Sequence, residues 1–384
     1  MTSTSREKII RVGFDDQIFV AQARGGISKY FVELIERLPS HGIEPILLSR
    51  GTRNRHLIES GLVSELPPDG RIRGLIRAVA WRLTGWLSTS VSANDKNLDI
   101  IHHTFTMGPY LRRWRGKRVV TNFDMIPEIF PSYFKLGNPH FAKRRYCECC
   151  NAVISISQST TNDMLRLYGN HLASKTVQIP FGVSETFLSA ASVSNELGIE
   201  LPTKYLLFVG VRRGYKRFDL ALNAFMRLAK TDPELHLVIV GGGPFSREEM
   251  DSIKKTNFIH RISRVAPTDD EIREVYRRAE VFLFPSEYEG FGLPTLEALA
   301  SGTPTVLADA SCSREVGGDV ALYFAPGDLD DLVRCTKRAM TDSVQKRTLK
   351  DGPRHAANYT WDRVAEMTAA LYKDVVKGSL NNEK

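Results

Sequence analysis

Residues 281–309 read VFLFPSEYEGFGLPTLEALASGTPTVLAD. Two apolar runs typical of strands, VFLFPS and TPTVLAD, enclose a segment that is typical of a helix, PTLEALAS. Continuous apolar strands that alternate with helices indicate a parallel sheet covered by helices on both faces. The stretch therefore predicts a strand–helix–strand unit of an α/β fold.

The same alternation occurs in two series along the 384 residues. The first contains the strand-like runs IIRVGFD, EPILLS, LDIIHH, KRVVTNFD and NAVISIS, with an amphipathic helix, ISKYFVELIERL, at 27–38. The second begins near residue 204 with YLLFVGV and runs through FDLALNAFMRLAK, LHLVIVGGG and DDEIREVYRRA. Because a chain of this length exceeds what one core usually serves, we predict two doubly wound domains joined by a polar linker at 182–203.

The composition, 42% hydrophobic and 25% charged, is that of a soluble globular protein. The sequence has neither the apolar run of about 18 residues that a membrane-spanning helix needs nor the apolar core of a signal peptide. A cytoplasmic location is expected, and five cysteines fit a reducing compartment. Cys147 and Cys150 have metal-like spacing, but no second pair completes a ligand set, so buried thiols are favoured over zinc.

The formal net charge is +8, and all of the positive excess lies in the N-terminal half. An anionic membrane surface or a phosphorylated substrate fits this charge, whereas no nucleic-acid partner is expected because no nucleic-acid motif is present. The segment RIRGLIRAVAWRLTGWL at 71–87 combines apolar residues at helical spacing with arginines and tryptophans. It fits a helix lying on anionic lipid at the inner face of the plasma membrane. A helix packed on its own domain is the slightly commoner alternative.

Two carboxylates, Glu289 and Glu297, flank a glycine loop and the start of a helix. In open α/β sheets, ligands bind beyond the carboxyl ends of the strands, and amides at a helix start receive anions. Here those amides belong to Phe291, Gly292 and Leu293. A sugar nucleotide fits this order: Glu289 would hold the sugar, the amides the phosphates and Glu297 the ribose diol. The alternative is a solvated loop charge and a carboxylate that supports the helix dipole.

The string EGFGLPTLE closely resembles the glutamate–seven residues–glutamate signature of glycosyltransferase family 4. Further segments resemble the family at 205–225, 281–324 and 358–372, and more loosely in GGISKYFVELIERL, IIHHTF and VVTNFDMIPEIFP. The resemblance implies retaining enzymes with the GT-B fold, in which two Rossmann-like α/β domains face each other across a cleft. It places an acceptor-binding domain at 1–182, with a returning helix at 359–377, and a nucleotide-sugar donor-binding domain at 190–358.

On the donor side, the resemblance implies that Arg212 and Lys216 face the diphosphate, with Arg213 as a less certain neighbour. Positive charge there would stabilise the leaving nucleoside diphosphate. Val265 corresponds to the strand end that binds the base, although Arg264 departs from the usual glycine. The alternative for the basic run RRGYKR, which contains Arg212, Arg213 and Lys216, is a solvated turn.

On the acceptor side, the resemblance implies that the amides of Gly25 and Gly26 receive a phosphate and that His102, at a strand end, faces the cleft. The alternatives are glycines that simply cap a loop and a histidine with a structural role. Many family members have histidine where this chain has Phe123, which removes one polar contact. Asp124 remains to bind an acceptor hydroxyl, or equally to cap the following turn.

The string DLD at 328–330 resembles a metal-binding motif, but its surroundings indicate a helix start. The GT-B architecture that the resemblance implies neutralises the diphosphate with arginine and lysine, so we expect no metal and no cofactor. The resemblance implies transfer of a hexose, with mannose from GDP-mannose as first candidate. The acceptor would be a saccharide or lipid-linked saccharide in bacterial surface polysaccharide (O-antigen, capsule or exopolysaccharide) biosynthesis. A sugar-nucleotide epimerase and a noncatalytic nucleotide-sugar-binding partner of a membrane complex are the alternatives.

Overall fold

The computed structural model describes residues 9–49, 52–63, 97–106, 114, 116–134, 140–189, 198–212 and 214–381. The predicted basic segment 71–87 and Arg213 lie outside these residues. The chain divides into two compact units. We call Met1–Phe181 with Trp361–Lys384 the N-terminal unit, and Gly182–Thr360 the C-terminal unit.

The N-terminal unit contains a six-stranded parallel sheet in the order β2-β1-β3-β4-β5-β6. Its strands are β1 (Ile10–Asp15), β2 (Ile43–Leu48), β3 (Ile100–His103), β4 (Lys117–Asn122), β5 (Ala152–Ser155) and β6 (Thr176–Gln178). Its helices are α1 (Gln17–Ala21), α2 (Gly26–Arg37), α3 (Arg55–Glu59), α4 (Ile126–Ile129), α5 (Lys143–Cys149), α6 (Gln158–Tyr168) and the C-terminal α15 (Trp361–Lys377).

The strand order of this unit reverses between β1 and β3. Ligands of open α/β sheets bind at such a reversal, beyond the carboxyl ends of the two strands. Helix α15 packs against α2, with the rings of Tyr30 and Trp361 5.7 Å apart. The last helix of the chain is thus part of the core of the N-terminal unit.

The C-terminal unit contains a second six-stranded parallel sheet, in the order β12-β11-β10-β7-β8-β9. Its strands are β7 (Tyr205–Val209), β8 (His236–Val240), β9 (Ile262–Val265), β10 (Val281–Phe284), β11 (Thr305–Ala308) and β12 (Leu322–Phe324). Its helices are α7 (Glu185–Leu188), α8 (Phe218–Ala229), α9 (Arg247–Lys254), α10 (Ile272–Arg277), α11 (Leu293–Ala300), α12 (Ser313–Gly317), α13 (Leu329–Ala339) and α14 (Asp342–Ala356).

In this sheet the order reverses between β7 and β10. The loops that follow these two strands, 210–217 and 285–292, therefore flank the expected ligand crevice. Apolar side chains of β7, β8, β10 and β11 pack with α8 and α13 to form the core beneath this edge. The predicted doubly wound α/β sheets are confirmed.

Helix α14, which the sequence pattern did not indicate, packs against α11. A Cβ atom at Gly352 of α14 would lie 2.4 Å from the carbonyl oxygen of Leu299 on α11. Only glycine permits this close approach of two helix backbones. Since α11 carries Glu297, this contact helps to fix one of the predicted site residues.

Among the residues that the structure describes, no helix has both the length and the apolar character needed to cross a bilayer.

Candidate active site

Two predicted site residues meet at the strand reversal of the C-terminal unit. Lys216 follows β7 on a single 3₁₀ turn, Gly214–Lys216, and Glu289 lies in the loop after β10. Nζ of Lys216 donates to both carboxylate oxygens of Glu289, at 2.6 and 2.8 Å. The two side chains are only 15% and 12% exposed, so the ion pair lies in a partly desolvated position. An incoming anion would compete with Glu289 for this ammonium.

The loop that carries Glu289 is braced by the segment after β11. The amide of Glu289 donates to the hydroxyl of Ser311 at 3.0 Å. The thiol of Cys312 donates to the carbonyl oxygens of Glu289 and Phe291, at 3.3 and 3.0 Å. Burial raises the pKa of this thiol, so it remains protonated as a hydrogen-bond donor. Neither Ser311 nor Cys312 was expected in the site.

Helix α11 begins after Gly292, whose φ of +87° lies in the left-handed region. One turn into the helix, Oε2 of Glu297 accepts a hydrogen bond from the hydroxyl of Tyr276 at 2.9 Å. Burial first, and then the Glu297 carboxylate, raise the pKa of Tyr276 well above its usual range, so the phenol stays a donor. The tyrosine orients the carboxylate that is predicted to bind the ribose, and no sequence pattern indicated this contact.

Two further residues predicted on the donor side, Val265 and Arg212, do not lie beside the Lys216–Glu289 pair. Val265 ends β9, at the same sheet edge as Lys216 but two strands away, and is partly exposed. Arg212 does not join Lys216. Its side chain, 2% exposed, forms an ion pair with Glu249 at 3.0 Å and turns toward the loop after β8. A direct contact between Arg212 and a diphosphate remains a prediction, and it would require the guanidinium to leave Glu249.

The adjacent Arg217 pairs with Glu287 at 2.6 Å and with Asp219 at 3.1 Å. These hydrogen bonds raise the pKa of Arg217, which keeps its charge throughout. It has a φ of +47° and precedes α8. Arg217 thus links the loops after β7 and β10, and it was not among the predicted site residues.

In the N-terminal unit, the structure gives His102 the structural role that was the alternative to a contact with substrate. His102 is 0% exposed. Its Nδ1 lies 2.6 Å from the hydroxyl of Tyr372, and its Nε2 lies 2.8 Å from that of Thr121. Burial lowers the pKa of His102 to about 3, so the ring is neutral. Both nitrogens are used to join α15 and β4 to β3, which gives His102 a structural role.

The neighbouring His103 lies instead in a polar cluster at the strand reversal. Its Nδ1 is 2.7 Å from Oδ2 of Asp15. Thr104 donates to Oδ1 of the same carboxylate through its amide at 2.9 Å, and Gln17 donates to Oδ2 at 2.6 Å. Burial would raise the pKa of Asp15, but the hydrogen bonds from His103, Thr104 and Gln17 outweigh burial and lower it. The buried carboxylate therefore ties β1 to the end of β3.

The other acceptor-side residues lie near element starts. Gly25 is extended, with a φ of 175°, and Gly26 opens the 12-residue α2. Oδ1 of Asp124 accepts from the amide of Ile126 at 3.0 Å, so Asp124 caps the turn, which was one of its two predicted roles. Lys143 lies 3.6 Å from the same oxygen.

Asp328 caps α13 by accepting from the amide of Asp331 at 3.0 Å, as the helix-start interpretation of DLD predicted. In the described part of the chain, His, Cys, Asp and Glu side chains form no group of three suited to a metal ion.

Two family models match the chain, one for each series of strands. The model of Glycosyltransferase Family 4 matches residues 24–187, and that of Glycosyl transferases group 1 matches residues 191–354. The chain belongs to glycosyltransferase family 4. It is therefore a glycosyltransferase, as the glutamate signature predicted.

Two similar proteins are a D-inositol 3-phosphate glycosyltransferase and an O-antigen chain mannosyltransferase. The chain is 26% identical to a D-inositol 3-phosphate glycosyltransferase of Corynebacterium diphtheriae, over 91% of this chain and 90% of that protein. It is also 26% identical to the O-antigen chain mannosyltransferase B of Escherichia coli, over 91% of this chain and 96% of that protein.

Solved structures of the same fold include sucrose-phosphate synthase of Thermosynechococcus elongatus, with a TM-score of 0.76 and 20% identity over 96% of this chain and 100% of that one. Another is Anabaena HepE in complex with UDP and glucose, with a TM-score of 0.70 and 18% identity over 94% of this chain and 98% of that one. The predicted GT-B fold class of this glycosyltransferase is confirmed.

Proposed function

We propose that this glycosyltransferase binds a nucleoside-diphosphate sugar at the strand reversal of its C-terminal unit and transfers the hexose with retention of configuration. The Lys216–Glu289 pair carries the proposal. It places one cation and one carboxylate, from the two loops that flank the reversal, within 2.6 Å of each other. A diphosphate needs the first group, and sugar hydroxyls need the second.

Donor binding would exchange partners within this pair. The ammonium of Lys216 would leave Glu289 for an oxygen of the diphosphate, and the released carboxylate would accept hydrogen bonds from the sugar hydroxyls. As the glycosidic bond breaks, negative charge grows on the leaving diphosphate. A cation already in place stabilises that charge more than it stabilises the ground state. Lys216, together with the amides at the start of α11, would then do the work that a divalent cation does elsewhere.

Glu297 would hold the nucleoside end of the donor. Its Oε2 accepts from Tyr276, which fixes the carboxylate one turn into α11. An ionised carboxylate binds a ribose diol through two charge-assisted hydrogen bonds. The nine residues from Glu289 to Glu297 would thus span the donor from its sugar to its ribose, with the phosphates beside the start of α11.

We propose GDP-mannose as the first donor to test and a saccharide or lipid-linked saccharide of bacterial surface polysaccharide as acceptor. The 26% identity with an O-antigen chain mannosyltransferase supports both choices. A thermal-shift panel of GDP, UDP, ADP and dTDP sugars tests the donor, because a ligand that binds only the folded state raises its melting temperature. Stabilisation by none of them would contradict the proposed function.

Transfer itself needs a second readout. Incubation of the stabilising donor with a short mannose-containing oligosaccharide should give a product one hexose longer. Conversion of the donor alone into an epimer would instead support the epimerase alternative. Binding without transfer or hydrolysis would support a noncatalytic role.

A further inference from the structure

Arg212 makes more contacts with the loop after β8 than a solvated arginine needs. Its Nη1 donates to the carbonyl oxygen of Gly241 at 2.8 Å, and its Nη2 donates to those of Gly242, Gly243 and Pro244 at 3.5, 3.1 and 2.9 Å. The guanidinium also lies 4.8 Å from the ring centre of Phe245. The whole turn, 241–245, is therefore wrapped around one buried cation.

The backbone conformation of this turn requires glycine. Gly241, Gly242 and Gly243 have φ angles of +90°, +69° and +69°, which side chains rarely adopt. A Cβ atom at Gly242 would lie 2.7 Å from Nη1 of Arg212. A Cβ atom at Gly243 would meet nothing within 4 Å. Gly242 thus makes room for the arginine, whereas Gly243 serves the backbone path alone.

The direction of the carbonyls fixes the direction of the amides. In a trans peptide the N–H of one residue points opposite to the C=O of the residue before it. With the carbonyls of Gly241 and Gly242 directed toward Arg212, the amides of Gly242 and Gly243 point away from it. Both residues are exposed, and neither amide donates to any residue that the structure describes.

Glu249 holds Arg212 in this position. Its carboxylate accepts from Nε and Nη2 of Arg212, at 3.0 and 3.2 Å, and from the amide of Ser246 at 2.6 Å in the capping box of α9. Burial would raise the pKa of Glu249, but the bonds from Arg212 and Ser246 outweigh it and lower the pKa. The arginine is thus fixed by an ionised partner on one side and by the loop on the other.

The sheet order places this loop at the same sheet edge as the proposed donor site. Strand β8 lies between β7, whose loop carries Lys216, and β9, which ends at Val265. Lys216 is proposed to bind the diphosphate and Val265 to lie at the base. A loop between the two would therefore face the nucleoside monophosphate part of the donor.

We propose that Arg212 is a positioning residue that clamps the carbonyls of the 241–244 loop, so that the amides of Gly242 and Gly243 are presented to an oxygen of the nucleoside monophosphate part of the donor. The inference rests on the proposed function. A direct contact between Arg212 and the diphosphate would have two different consequences. In the positioning role, loss of Glu249 weakens nucleotide binding as much as loss of Arg212 does. The loss of affinity is also the same for the nucleoside monophosphate and for the diphosphate.

Isothermal titration calorimetry distinguishes the positioning role of Arg212 from a direct contact with the diphosphate. The ligands are the nucleoside monophosphate and the nucleoside diphosphate of the base that the wild type prefers. We expect Arg212→Lys, Arg212→Gln and Glu249→Gln each to weaken both ligands by about tenfold, since each loses the orientation of the loop. The double variant Arg212→Gln/Glu249→Gln should be no weaker than Arg212→Gln alone, because the two residues act as one unit. Gly243→Ala should weaken the binding of both ligands, because its φ of +69° is one that side chains rarely adopt. The added Cβ atom would not contact Arg212.

Arg227→Gln is the matched control, because it removes an arginine of the same unit that pairs with Asp330. Its affinities should equal those of the wild type. If Arg212→Lys keeps wild-type affinity, or if the loss in Arg212→Gln is confined to the diphosphate while Glu249→Gln is unchanged, the positioning role is overturned. Should Arg212→Gln fail to fold, Glu249→Gln and Gly243→Ala decide alone. A wild type that binds no nucleotide overturns the proposed function, and this inference with it.

Discussion

The hydroxyl of Tyr276 lies 2.9 Å from Oε2 of Glu297, although 21 residues separate them in the chain. Tyr276 is fully buried on α10, and Glu297 lies partly exposed on α11. A buried donor of this kind fixes the rotamer of the carboxylate before any ribose arrives. Part of the affinity for a nucleotide should therefore depend on a residue that does not touch it.

Tyr276→Phe should lower the affinity for the nucleoside diphosphate by about fivefold, which corresponds to the loss of one orienting hydrogen bond of about 1 kcal/mol. Glu297→Ala should cost more, because it removes the ribose contact itself. Isothermal titration calorimetry measures both. Tyr205→Phe is the matched control: its buried hydroxyl donates to the carbonyl of Val275 at 2.7 Å and not to Glu297. Equal losses in Tyr205→Phe and Tyr276→Phe would show that only stability had changed.

Lys216→Ala should lower kcat by about 100-fold while raising KM much less, because its charge acts mainly on the departing diphosphate. Glu289→Ala should spare the affinity for the free nucleoside diphosphate and lower turnover, since its proposed partner is the sugar. Steady-state kinetics and nucleotide titration together test this division of roles. A Glu289→Ala variant that loses nucleotide affinity as strongly as turnover would contradict it.

EDTA should leave the activity of the wild type intact, because Lys216 and the amides at the start of α11 are proposed to neutralise the diphosphate. Added manganese or magnesium should change the rate little. Activity that disappears in EDTA and returns with manganese would contradict this metal-free mechanism. A known metal-dependent glycosyltransferase, assayed in parallel, shows that the chelator is effective.

Acidification should destabilise the N-terminal unit through His102. Burial holds its pKa at about 3, below the usual 6.5. A histidine whose pKa is lowered by folding binds its proton more readily in the unfolded state, so stability is lost as the pH falls below 6.5. One such proton gives a slope of about 1.4 kcal/mol per pH unit.

Replacement by glutamine, which does not titrate, should flatten the pH dependence of the unfolding free energy between pH 6.5 and 5. His140 and His236, whose pKa values burial also lowers, contribute to the remaining slope. Urea denaturation at several pH values measures it. An unchanged slope in His102→Gln would show that His102 does not stay neutral in the folded protein.

Lys216, Glu289 and Glu297 all follow strands that flank the reversal of the sheet, as the alternation of strands and helices in the sequence indicated. Their predicted roles rest on the resemblance to glycosyltransferase family 4. The direction in which a side chain points at the end of a strand was harder to predict. Successive residues of a strand point to opposite faces. His102 therefore packs under α15, whereas His103 reaches Asp15.

The sequence could not show contacts that depend on tertiary packing. Cys312 supports the carbonyl of Glu289 from 23 residues away, and Glu249 captures Arg212 from 37 residues away. The resemblance implied a diphosphate contact for Arg212. No local pattern of the sequence indicates the carboxylate of Glu249, which lies within hydrogen-bond reach of its guanidinium.

Gly352→Ala tests how far the site depends on helix packing. The added Cβ would lie 2.4 Å from the carbonyl oxygen of Leu299, so α11 and α14 must separate. Overpacking of this kind costs about 1–3 kcal/mol of unfolding free energy, which urea denaturation measures. Because α11 carries Glu297, nucleotide affinity should fall as well. Lys350→Ala, at an exposed position of the same helix, should change neither quantity. A Gly352→Ala variant with wild-type stability would show that the two helices separate without cost, and unchanged nucleotide affinity in a destabilised variant would show that Glu297 is held by Tyr276 alone.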